Sequence, residues 1–149
     1  MPLAVQPPVV VAERTDAWLA APALTAHATA WLTIPRGAGG PDLVVRRGGN
    51  TLVVRAGGKT RTIFDGGCGP SDDCDDARAP VASSFDGFAY AVAAGAAATY
   101  VAYVDAAGAT TVLHANERAG AETRLVVGAD GATVAWSEVA AHALSLIHI

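Results

Sequence analysis

The sequence predicts an all-β fold of antiparallel sheets, and three observations predict it. Short β-branched and aromatic runs recur at about 8–12 residue spacing. Paired glycines and Asp-Gly steps stand between them, where tight hairpin turns need positive φ. No stretch carries a convincing 3.6-residue apolar period of an amphipathic helix.

The elements follow in order. Pro7-Pro8 leads into Val9-Val10-Val11, so residues 1–24 read as an N-terminal extension or incoming edge strand. Ala17–Ala23 is too short for a helix and Pro22 interrupts it. Thr25–Ile34 reads as a strand around Trp31, stopped by Pro35 and the turn Arg36–Gly40. Asp42–Arg46, Thr51–Arg55 and Thr60–Phe64 read as hairpin strands joined at Gly48-Gly49-Asn50 and Gly57-Gly58. The polar interruption from Asp65 to Pro80 reads as one long loop. Strands then follow near Val81–Ser84, over Phe88–Ala93, Thr99–Asp105, Thr110–His114, Thr123–Val127 and Thr133–Val139. A turn at Ala107-Gly108 and a connection through Asn116–Gly120 fall between them.

Composition narrows the function classes. The 149 residues suffice for one ordinary core, and 52% are apolar while 16% are charged, which is not the profile of a disordered chain. The net charge is −4, and nine of the ten basic residues are arginine. Arg46, Arg47, Arg55, Lys59 and Arg61 sit on successive strands and read as a solvated sheet face, so no basic stripe marks a nucleic-acid surface. No run reaches the roughly 18–20 apolar residues of a membrane helix, and no membrane insertion is expected. Met1–Val11 lacks a basic start and carries three prolines, a poor signal peptide, so any export signal is expected upstream.

A repeat organises the chain. Ser84-Phe85-Asp86-Gly87 opens the strand at Phe88, and Gly128-Ala129-Asp130-Gly131 opens the strand at Thr133. Asp86 and Asp130 are 44 residues apart, with four strand candidates per unit. That is the arithmetic of a four-stranded β-propeller blade, whose units recur at roughly 40–50 residues. Thr29–Leu32 supplies a third copy around Trp31, with His27-Ala28 in place of Asp-Gly. Residues 25–139 are therefore expected to form two to three antiparallel four-stranded blades of an incomplete propeller, with a long Asp/Cys loop at 65–80. Residues 140–149 do not continue the repeat. Leu144–Ile149 resembles the translated adapter tails of some assembled reading frames, and the segment is expected to be non-native or disordered.

An Asp-Gly turn before a strand of alanine and aromatic residues resembles the WD-like blades of TolB-type propellers. Their Ser-Pro-Asp-Gly turn is matched by Ser84–Gly87 without the proline, and by Gly128–Gly131 without proline or serine. The resemblance spans residues 25–139. It implies an extracytoplasmic interaction module, periplasmic or secreted, with no catalytic residues and no cofactor to carry over. The partners expected are a protein ligand or the missing blades, with self-association through open strand edges.

The chemistry-bearing residues have plainer uses beside these. Cys68 and Cys74, separated by five residues, match neither a zinc nor a redox spacing. They read as a small disulfide worth about 2 kcal/mol at most, with free thiols as the alternative. Asp72, Asp73, Asp75 and Asp76 suit a hard cation such as Ca²⁺, but lack the calcium-loop glycine and glutamate and read as a solvated loop. His27, His114, His142 and His148 follow no ligand spacing. Ser83 and Ser84 have no nearby base in the sequence, and no serine elbow, phosphate loop or dinucleotide fingerprint is present. Trp31 and Trp136 take equivalent strand positions and are expected to pack between blades, not to form a binding platform. Two further functions remain open beside the non-catalytic module. One is the propeller domain of a larger hydrolase of the prolyl-oligopeptidase type, and the other is a calcium- or carbohydrate-binding β domain.

Overall fold

The computed structural model describes residues 7, 10–35, 49–67, 75–94, 98–116, 123–127, 131–138 and 143–148. Every element among them is a strand, so the chain is all-β, and every pairing is antiparallel. The first sheet runs β1 (Ala17–Leu24), β2 (Ala28–Pro35), β3 (Thr51–Ala56) and β4 (Lys59–Asp65), in chain order. Gly57 and Gly58, at φ 57° and 73°, make the β3–β4 turn that L side chains resist.

The second sheet is built on β7 (Phe88–Ala94), β8 (Ala98–Val104) and β9 (Thr110–Asn116). Its first edge is a strand in two pieces, β5 (Asp75–Ala77) and β6 (Val81–Ala82). β5 pairs with Val92–Ala94 and β6 with Phe88 and Ala89, so both lie along the edge of β7 away from β8. The third sheet is β10 (Thr123–Val127), β11 (Thr133–Glu138) and β12 (Ala143–His148). None of the three sheets closes on itself.

Several expectations are corrected here. Residues 65–80 are not one loop, because β5 lies inside them. Its Asp-Asp-Ala side chains hide a strand whose backbone supplies the edge of β7. Val10 and Val11 form no strand, and the edge strand of the first sheet is β1. β10 opens the third sheet and does not close the second, so the unit boundary falls one strand earlier than the Asp-Gly turn suggests. Within 140–149, Ala143–His148 pairs along the whole of β11. The strand expected at Asp42–Arg46, the turns at Arg36–Gly40 and Gly48, and the connection at 117–120 lie outside the described residues.

Proline breaks both first strands in the same way. β1 shifts register between Ala20 and Ala23, at Ala21 (φ 50°) and Pro22. The β5–β6 edge shifts by one residue across Arg78, Ala79 and Pro80. A proline cannot donate to the ladder, and a bulge on an edge strand is one of the few places that accept it. Three residues after each proline comes a hydroxyl, Thr25 or Ser83.

The sheets stack face to face. Ala28, Ala30 and Leu32 of β2, with Leu52 and Val54 of β3, pack against Phe88, Tyr90 and Val92 of β7. On the other face of β7, Ala89 joins Val101, Val134 and Trp136 in a second cluster. Alternation along a strand puts successive side chains on opposite faces, and β7 has both faces covered. The first strands also adjoin, β1 approaching β6 and β6 approaching β10. Burial raises the Tyr90 hydroxyl pKa, against a smaller opposing effect of a hydrogen bond to Thr110. Burial, with the nearby Tyr90 and Asp75, pushes Tyr100 up to about 12.

Phe88 is fully buried between sheets, whereas Phe85, three residues earlier, is 59% exposed. Phe88→Ala is expected to cost about 3–5 kcal/mol of stability, and Phe85→Ala to stay within about 0.5 kcal/mol. Urea denaturation of the two variants measures both, and equal losses would refute the stacked core.

Candidate functional site

The functional candidates collect where the turns before β2, β7 and β11 meet. Each turn opens the strand next to the first edge of its sheet, so the stacking of the sheets brings the turns to one end. The first is closed by Thr25, whose N–H donates to the Ala28 carbonyl at 2.9 Å and whose Oγ1 accepts from the Ala28 N–H at 3.0 Å. The second is closed by Ser83. Its N–H donates to the Gly87 carbonyl at 2.9 Å, and its Oγ accepts from Phe85 N at 3.2 Å and Gly87 N at 3.3 Å. A side-chain oxygen that caps the backbone of its own turn is the reason Ser and Thr favour such positions.

Contacts between side chains and backbone join the three turns. His27 Nδ1 lies 2.9 Å from Asp86 Oδ2, linking the first to the second. The Ser84 N–H donates to the Gly131 carbonyl at 3.0 Å, linking the second to the third. Asp86 holds a left-handed φ of 58°, which a short polar side chain tolerates better than most. Gly87 has no room for a side chain, since a Cβ there would strike the Tyr103 ring and hydroxyl and come 2.7 Å from the Val104 carbonyl.

The expected site residues separate in this geometry. Asp86, Gly87 and Gly131 come together, while Asp130 lies outside the described residues. Ser83 is 7% exposed, and its hydroxyl pairs with the Tyr103 hydroxyl at 2.8 Å as well as with its turn. It closes its turn and ties it to β8. Thr25 and His27 matter more than their sequence context suggested. The signal that finds them is the shared Ala-Pro-x-x-Thr/Ser of residues 21–25 and 79–83.

Cys68, Cys74, Asp72 and Asp73 lie outside the described residues. Asp76 Oδ1 accepts the Asn50 N–H at 2.9 Å, and Asn50 Nδ2 donates to the Ala77 carbonyl at 3.3 Å, tying β3 to β5. The Asp75 N–H donates to the Gly67 carbonyl at 2.7 Å. Asp76 thus serves the backbone of its own sheet junction. Among the described residues no three His, Cys, Asp or Glu side chains converge as metal ligands. His114 stacks on Trp136 with ring centres 5.5 Å apart, a packing role between the second and third sheets.

On the outer face of the first sheet, Val11–Arg14 run over Leu19, Trp31, Thr33, Val53 and Thr62 and leave a hollow of about 260 Å³. A second, of about 270 Å³, lies between Arg14, Asp16, Thr33, Thr51 and Asp65. Arg14 pairs with Asp16 at 2.7 Å in full solvent, a contact of small energetic weight.

No family model matches the chain, and neither a curated protein nor a solved structure matches it.

The hydrogen bond from His27 holds Asp86 below the usual carboxylate range, helped by Thr25 and opposed by partial desolvation. A carboxyl with a depressed folded pKa contributes stability above its unfolded value and loses it as pH falls through the folded one. Acidification below about pH 4 is therefore expected to destabilise the wild-type chain more steeply than Asp86→Asn. Denaturant midpoints over a pH series measure this, and parallel profiles would refute the contact between the turns.

Proposed function

We propose that this chain is a segment of a β-propeller with TolB-like, WD-like blades, serving as a non-catalytic protein-binding or scaffold module of a larger protein. The observation that carries this is the position of the second sheet. Its two faces are covered by separate neighbouring sheets, and the first strands of all three adjoin. Radial sheets around a common axis meet both conditions, whereas a two-sheet sandwich leaves each sheet one open face. The hydroxyl-closed turns support the same reading, since they recur at matching places in successive sheets. Ser83 is engaged by its own turn and by Tyr103, which fits a structural use of its hydroxyl.

The complete reading frame of the gene tests this proposal. Further units are expected, each with a turn, an alanine-rich strand and a spacing of roughly 40–50 residues. A frame without them would refute the propeller, and an attached α/β-hydrolase domain with a serine elbow would make the parent an enzyme.

We also propose an oxidising, extracytoplasmic location, from the pairing expected of Cys68 and Cys74. Alkylation without reductant, followed by mass measurement, is expected to leave both cysteines unmodified. Two added alkyl groups would overturn the location.

A further inference from the structure

We propose that the Asp86-Gly87 step is a latent site of isoaspartate formation, and that His27 and Ser83 keep it closed in the folded chain. Nothing in this depends on how many sheets the parent protein carries. The chemistry is that of any aspartate followed by glycine. The Gly87 backbone nitrogen attacks Asp86 Cγ while the carboxyl is protonated. The nitrogen gives up its proton, and the carboxyl hydroxyl leaves with a proton as water. A water molecule then opens the succinimide ring at either carbonyl. One opening restores aspartate, and the other gives isoaspartate, whose main chain runs through the former side chain. The net change is an isomerisation that consumes no oxidant or reductant. Glycine at the second position favours it, because no Cβ obstructs the approach. The sequence offers three such steps, Asp65-Gly66, Asp86-Gly87 and Asp130-Gly131.

At Asp86 each reacting group is held by a different partner. Asp86 Oδ2 lies 2.9 Å from His27 Nδ1, and the Gly87 N–H donates to Ser83 Oγ at 3.3 Å. The Gly87 carbonyl is held as well, accepting from the Ser83 N–H at 2.9 Å. Ring closure takes the proton off the Gly87 nitrogen, so the bond to Ser83 has to break first. It also needs a protonated carboxyl. The hydrogen bond from His27 favours the ionised one and lowers the Asp86 pKa, against an opposing effect of desolvation.

Isoaspartate would add a methylene to the main chain where there is no slack. A Cβ on Gly87 would already strike the Tyr103 ring and come 2.7 Å from the Val104 carbonyl. The neighbouring Ser84 N–H is bonded to the Gly131 carbonyl of the third sheet's turn. His27 belongs to the first sheet's turn and Asp86 to the second's, so the protection lasts only while those two sheets are stacked.

Ageing the full chain in mildly acidic buffer, followed by trypsin digestion and isoaspartate quantification on each peptide, tests this. Trypsin cuts after Arg61, Arg78, Arg118 and Arg124, which puts the three Asp-Gly steps on separate peptides. In the folded wild-type chain, isoaspartate is expected at Asp86 at least roughly tenfold more slowly than in the same chain in urea, because local opening must come first. His27→Ala is expected to raise the Asp86 rate about two- to fivefold, the weight of an exposed polar pair, and to leave Asp65 and Asp130 unchanged. Ser83→Ala is expected to raise it further. If Ser83→Ala loses its circular-dichroism β signal, His27→Ala decides alone, since the His27 side chain is 78% exposed. Equal rates at Asp86 in the folded and unfolded wild-type chain overturn the proposal. So does a His27→Ala rate equal to that of wild type, or a rise shared by all three steps, which marks general loosening and not a lost tie.

Discussion

The architecture depends on one strand being buried from both sides. β7 sits inside its sheet and between two others, so all of Phe88–Val92 are at most 2% exposed. A strand covered on one face alternates apolar with polar, whereas one covered on both must be apolar throughout. Phe-Ala-Tyr-Ala-Val meets that demand and adds a size code. The large side chains fill the space toward the first sheet, and the alanines let the third approach closely.

The turns inherit their positions from this stacking. Thr25 and Ser83 each close a turn with their own hydroxyl, which is local chemistry. The contacts between turns, His27 with Asp86 and Ser84 with Gly131, are 59 and 47 residues apart in sequence. The first is not strong alone: the His27 side chain is 78% exposed and Asp86 34%, and solvent weakens exposed ion pairs. They fix the mutual orientation of sheets whose burial supplies most of the stability. The steric demand at Gly87, against Tyr103 and Val104, is the stricter constraint at this end.

Much of this was legible in the residues. The hairpin β3–β4, the turn at Gly108 and the strands from Phe88 to Glu138 follow from β-branched runs and turn dipeptides, which are local signals. β5 was not legible, because Asp75 and Asp76 disfavour a strand by composition and only the open edge of β7 makes them one. β1 was missed for a related reason, since Pro22 argues against a strand until a bulge accommodates it. At the site, Asp86 and Gly131 announced themselves as turn residues. His27 did not, because an isolated histidine takes its meaning from what lies opposite it in space.

By itself, the sequence determined the strand character of the β-branched and aromatic runs, the turn positions and the alternation of large and small side chains along β7, because each depends on residues only a few positions apart. The tertiary structure decided which sheet each strand joins, which faces are covered and which turns touch. Those outcomes depend on contacts across tens of residues, where pairing edges and face-to-face packing outweigh local preference.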